Sequence, residues 1–199
     1  MAKSVWVFPV IAGALLFGMP THAATKDEAI AVIAHLHGAL VEVAATEPSL
    51  SSEQRFEVLA PVIGSTHDLA TMGRLTVRRF WRRWSENQRN AFVDTFSRLS
   101  VTTYASRFSS VGPDTFEIVG GEIISDNRSE VEALIRRRDA EDVSMNYLLQ
   151  LDGESWRVIN VFAGGASELS LMGSEYFAIL ESGDFDDLIA ELELQITEM

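Results

Sequence analysis

The hydrophobic period of this chain changes twice, and that change constrains its fold more than any other feature. From Thr25 to Phe108 apolar residues recur at helical spacing, from Thr115 to Phe162 they alternate, and beyond Ser170 the helical spacing returns. A helix gathers residues three and four apart on one face, whereas a strand gathers residues two apart, so each stretch has one architecture open to it. The order predicts helices, then a meander of strands, then helices packed back on it. That is an α+β domain with one face of its sheet covered, not an alternating α/β fold.

Local signals sharpen the expectation. Thr25 and Glu28 have capping-box spacing ahead of Ile30, Ile33, Leu36, Leu40 and Val43, which predicts a first helix. Ser52 begins a second helical stretch that is expected to kink or stop near Pro61. Thr66 to Trp84 reads as a third, with Leu69, Met72, Thr76, Phe80 and Trp84 along one side. Ser85 and Gln88 cap a helix over Glu86 to Phe108, whose stripe is Phe92, Phe96, Leu99 and Tyr104. Four strands should follow. Phe116 and Ile118 alternate with polar neighbours before a bulge at Gly120-Gly121 and a turn at Asp126-Asn127. Val131 to Arg138 comes next, then the period-two run Val143, Met145, Tyr147, Leu149, Leu151, then a return at Asp152-Gly153 through Trp156 to Phe162. Ser170 to Glu181 and Asp184 to Ile196 close the chain as helices, the second with Phe185, Leu188, Ile189, Leu192 and Ile196 inward.

The extreme N-terminus is of a different kind. Lys3, the apolar run Val5 to Phe17 and the small-residue stretch up to Ala24 have the pattern of a secretory signal, and Thr21 with Ala23 places cleavage after Ala23. A run this short falls below the roughly 20 residues needed to cross hydrocarbon, which favours a cleaved leader over an anchor. Residues 1–23 are therefore expected to be a signal peptide and residues 24–199 a single exported domain.

Charge and chemistry mostly exclude. The chain has 29 acidic residues against 16 Lys and Arg, for a net charge of -13, so a protein-wide grip on nucleic acid is disfavoured. The absence of cysteine removes disulfides, thiolate metal sites and a Cys nucleophile. Past the leader only His35, His37 and His67 remain. His35 and His37 point roughly 200° apart on a helix, cannot share a metal, and read as surface residues. His67-Asp68 has the composition of a base with its orienter, but Asp68 at a helix start is better explained as a cap. Gly164-Gly165 lacks the spacing of a dinucleotide loop. No catalytic residue, metal or cofactor is expected. Arg74, Arg78 and Arg82 fall at i, i+4 and i+8, with Arg79 and Arg83 beside them, which predicts a basic ridge on one helix. It either pairs with the protein's own carboxylates or meets an acidic partner or lipid headgroups. Arg136 to Arg138 end a strand and read as protection of a sheet edge.

Several segments, in order, resemble one family: Asp68-Leu69-Ala70-Thr71-Met72, Trp84 to Arg89, Phe92, Phe96, Tyr104 to Phe108, Trp156 to Val161 and Gly165-Ala166-Ser167. Together they look like the MlaC (toluene-tolerance) family of exported lipid-binding proteins, across nearly all of the chain beyond the leader. Tyr104 to Phe108, Ser167-Glu168-Leu169 and Glu175-Tyr176 more closely resemble its hopanoid-biosynthesis-associated branch, HpnM. The chain departs from the family at Gly173, where Arg is usual, and from the branch at Asn160, where Asp is frequent. The resemblance implies a periplasmic shuttle whose helices and sheet enclose an apolar pocket for hopanoid or phospholipid tails. Its partners would be lipid transport complexes of the inner or outer membrane. On that reading Leu69, Met72, Phe80, Phe96, Tyr104, Phe116, Tyr147 and Trp156 are expected in the pocket wall, and Arg74, Arg78 and Arg82 at headgroups or a docking partner. Two other functions fit the same elements. An exported adaptor would use the arginines and need no cavity. An isomerase or dehydratase on a cone-shaped α+β fold would need a carboxylate or His aimed into the pocket.

Overall fold

The computed structural model describes residues 25–46, 49–109, 112, 115–137 and 140–199. The proposed leader, residues 1–23, lies outside them. Helix α1 (Lys26–Ala45) starts at the Thr25/Glu28 capping box and buries Ile33, Leu36, Leu40 and Val43. It is long and apolar enough to cross a bilayer by length and composition alone. Its buried stripe instead seats it on the sheet. Helix α2 (Ser52–Thr66) runs unbroken through Pro61, against the expected kink or stop. Pro61 lacks only the bond its N–H would donate to the carbonyl of Glu57, and both residues lie on the exposed side, where water can serve that carbonyl.

The predicted single helix from Thr66 to Trp84 is divided. His67 caps α2 and bridges to Val158 of the sheet, and Asp68 restarts the chain as the N-cap of α3 (Leu69–Thr76) by accepting from the Thr71 N–H. At Val77 the backbone leaves helical angles (φ -112°, ψ 26°), so α4 (Arg78–Trp81) is a separate single turn. Helix α5 (Glu86–Arg107) begins at the Ser85/Gln88 capping box, as expected.

Five antiparallel strands follow in spatial order β1-β2-β3-β4-β5: Phe116–Ser125, Arg128–Ile135, Val143–Asp152, Ser155–Ala163 and the two-residue Ala166–Ser167. The meander was legible apart from the short β5, and β2 begins at Arg128 rather than Val131. Arg138 lies outside the described residues. The register slips between Ile118 and Gly120, beside the glycine pair read as a bulge, again between Ile123 and Ser125, and where β4 passes Leu148/Leu149. Gly164 (φ 56°) and Gly165 (φ 82°) form the turn from β4 to β5, where two successive left-handed residues need glycine. That turn delivers the chain into α6 (Glu168–Ser182), capped by Ser167, and then α7 (Phe185–Glu198), capped by Asp184.

Burial divides into two clusters. In the first, α1, α2 and the C-terminal half of α5 pack on the sheet through Ile33, Leu36, Leu59, Val101, Tyr147, Leu149, Trp156 and Val158. In the second, α3, the N-terminal half of α5, α6 and α7 close around Met72, Phe92, Phe96, Tyr176, Leu188 and Leu192. Leu69 packs against both clusters, and α5 passes from one to the other.

Candidate functional site

The seam between the two clusters holds a narrow, mainly apolar slot of about 70 Å³. Met72, Phe96, Leu169 and Met172 come from the helical cluster, and Tyr104, Phe108, Met145 and Val161 from the sheet side. Of the six methionines, Met72, Met145 and Met172 line it. Unbranched, polarisable methionine fills irregular gaps and rearranges at little cost, so this wall can change shape. Ligand-sized pockets run roughly 300–1,000 Å³, so the slot as it stands is too small for a lipid tail and must widen to hold one.

Its polar groups are largely spent on each other. The His67 imidazole contacts the Thr66 hydroxyl through Nδ1 at 2.9 Å and the Tyr104 hydroxyl through Nε2 at 3.0 Å. Burial lowers the His67 pKa to about 4, so the ring is neutral near pH 7 and poorly suited to gaining a proton there. Burial likewise raises the Tyr104 phenol above its ordinary range; the charge of Glu168 adds to that shift and Arg107 opposes it. Arg107, in the last turn of α5, faces Glu168, the first residue of α6, at 3.5 Å. These are the two formal charges in the slot's lining. A side chain exposed by 58% on Arg107 and by 25% on Glu168 places the pair at the mouth.

The predicted wall is only partly assembled here. Leu69, Met72, Phe96 and Tyr104 line the slot. Phe80 lies instead in a separate open groove on the outer side of the sheet. Phe116, Tyr147 and Trp156 pack in or against the first cluster, away from the slot's lining, because the inward face of the sheet is occupied by α1. His37, expected at the surface, is buried there: it bonds the Tyr147 hydroxyl at 2.9 Å, stacks on Phe116 at 4.2 Å, and has its pKa lowered by burial to about 4. His35 is exposed as expected. Reading single residues missed the apolar wall residues Phe108, Met145, Val161, Leu169 and Met172, the last two one helical turn apart on α6. Arg107, Phe108, Glu168 and Leu169 fall within the segments that carry the family resemblance.

The break at Val77 also overturns the single-helix arginine ridge. Arg74 is on α3, Arg78 on α4, and Arg82 follows α4 as its C-cap. Arg78 joins Arg79 and Arg128 along the outer groove of about 710 Å³, whose lining includes no Asp or Glu; Arg79 lies 5.1 Å from the Phe177 ring. Asn160 stands at the groove floor and bonds the Ser167 hydroxyl at 3.1–3.2 Å, tying β4 to the start of α6. Gly173 permits the close crossing of α6 over α3, since a Cβ there would stand 3.2 Å from the Thr76 carbonyl oxygen. Arg136 pairs with Glu117 and Asp142, bracing the strand end. No group of three or more His, Asp or Glu arranged to hold a metal occurs among the described residues.

Comparison with known proteins agrees with this architecture. The fold matches a solved phospholipid-binding protein from Ralstonia solanacearum in complex with a phospholipid, with a TM-score of 0.73 over 88% of this chain and 98% of that one. At 15% identity the likeness establishes the shared fold. No curated protein matches the sequence. The family model for the MlaC protein matches residues 36–194, which include the whole sheet, most of both clusters and the slot between them, and the chain belongs to the MlaC family.

Proposed function

We propose that this protein is a soluble lipid carrier that takes hydrocarbon tails into the seam between its two hydrophobic clusters. The single observation that carries this reading is the slot itself: an apolar gap walled by three methionines, at the place where two separately packed cores meet. Family membership supports it, as does the phospholipid held by the Ralstonia relative of like fold. The domain is residues 24–199, exported to the periplasm once residues 1–23 are removed. Its cargo is a hopanoid or a phospholipid, and the resemblance of Tyr104 to Phe108 and Ser167 to Leu169 to the hopanoid-associated branch favours the first.

The energetics require little selectivity from the tails. Each methylene withdrawn from water contributes about 0.8 kcal/mol, but a bilayer supplies the same shelter, so transfer from membrane to carrier is near neutral. The carrier lowers the barrier to crossing an aqueous gap, and binding too tightly would prevent delivery. Separating the clusters need not break a strong tie. The Arg107–Glu168 pair is a solvent-exposed ion pair, a class worth about 0.2–1 kcal/mol. Leu69, Met72, Phe96 and Tyr104 then contact the tails, and the arginines of the outer groove, Arg78 with Arg79 and Arg128, meet an acidic face of a membrane transport complex. Arg74 and Arg82, exposed beside that groove in sequence, extend the basic surface.

Native mass spectrometry of protein purified from the periplasm tests the reading. A bound lipid, lost on delipidation and regained from vesicles, is expected. Protein recovered empty, which then takes up neither phospholipid nor hopanoid, would end the carrier proposal. Charge reversal at Arg78 with Arg82 should leave lipid uptake intact while abolishing docking; an adaptor would lose its only activity.

A further inference from the structure

Resting on the carrier reading, we infer that the Arg107–Glu168 pair makes the mouth of the slot select lipids with an uncharged, hydroxyl-bearing head over lipids with an anionic phosphate head. The polar lining decides what a headgroup can meet. The Ser100 hydroxyl donates to the Phe96 carbonyl at 2.8 Å, the Thr103 hydroxyl to the Leu99 carbonyl at 2.8 Å, and the Tyr104 hydroxyl is engaged with His67. His67 is neutral near pH 7. What remains is one guanidinium and one carboxylate held 3.5 Å apart, with no net charge between them.

A hydroxyl group inserted between them accepts from Arg107 and donates to Glu168, so both partners stay satisfied when the pair opens. An ionised phosphate oxygen only accepts. It can take the Arg107 N–H, but it then strands the Glu168 carboxylate beside a like charge. Glu168 is poorly placed to swing clear. It sits in the first turn of α6, where the helix end favours a carboxylate, and the Ser167 cap with its bonds to Asn160 and the Ser170 N–H fixes that turn against β4. A lone arginine at this position would attract phosphate; an arginine paired with a fixed carboxylate does not.

Delipidated protein, offered mixed vesicles of glucosyl-dioleoylglycerol and dioleoylphosphatidylmethanol, whose anionic phosphodiester head carries no hydroxyl, isolates the head because the tails are identical. Native mass spectrometry should recover the glucosyl lipid in preference by about tenfold, the ratio expected of one uncompensated like-charge contact. Glu168→Gln keeps the side-chain length and removes the charge, and should move the ratio by about tenfold toward phosphatidylmethanol. Arg107→Gln should move it the opposite way, which keeps the test decisive if either variant fails to fold by thermal circular dichroism. Equal uptake or a phosphatidylmethanol preference by the unaltered protein overturns the inference, as does a ratio that neither variant shifts. Uptake of neither lipid, nor of a hopanoid offered separately, overturns the carrier reading itself.

Discussion

His37, on α1, and His67, just past the end of α2, are buried bases, each bonded to a tyrosine hydroxyl, Tyr147 and Tyr104 respectively. Burial takes both from 6.5 to about 4, so the folded protein stays unprotonated at these rings while an unfolded chain takes up protons below 6.5. Their contribution is therefore fully present above pH 6.5 and drains away as pH falls towards 4. By pH 5 the loss should be on the order of 2 kcal/mol per histidine. Urea denaturation at pH 7.5, 6.5 and 5 measures it above the ordinary carboxylate range. The double variant His37→Gln with His67→Gln should be less stable at neutral pH but lose much of that slope; an unchanged slope would show that other groups carry it. His37 was misread because it follows Leu36 at the margin of the stripe, where a helical wheel leaves a residue undecided. The Tyr147 hydroxyl that satisfies it comes from a strand 110 residues away.

Helix ends follow local rules here, whereas helix partners do not. Thr25, Ser51, Ser85 and Asp184 each form a capping box with the residue three positions on, and the helices begin where those residues stand. The separation of α2 from α3 combines a local cap at Asp68 with a distant bridge of His67 to Val158, and the break between α3 and α4 falls at Val77, where Thr76 and Val77 are buried. The crossing of α6 on α3 depends on Gly173, and this gives an element-scale prediction. Gly173→Ala would set a methyl 3.2 Å from the Thr76 carbonyl oxygen, a backbone atom that moves only with its helix. Overpacking of this kind costs about 1–3 kcal/mol. Thermal unfolding should register that loss, and because α6 forms one wall of the slot, the variant should also exchange lipid faster. A variant as stable as the parent would mean that the two helices separate without cost.

The carrier reading predicts that the molecule opens at the seam between its two clusters. Amide hydrogen exchange should show the N-terminal turns of α6 opening well below the global unfolding free energy, while the β3 amides of Tyr147 and Leu149 exchange near it. Lipid loading should slow exchange at α6 and α3 and leave β3 unchanged. Equal protection of all these amides, with or without lipid, would argue against a hinged seam. The sequence by itself determined the order of elements, the capped helix starts and the antiparallel meander, because periodicity and caps act over a few residues. It also carried the family resemblance, through short segments kept in order. Only the tertiary structure decided which aromatic residues line a slot and which fill a core, since an apolar side chain has the same pattern in either place. The structure also decided that Arg107 and Glu168, 61 positions apart, stand across one opening. Their meeting depends on the Gly164-Gly165 turn and the Asn160–Ser167 tie, which bring α6 back to the end of α5.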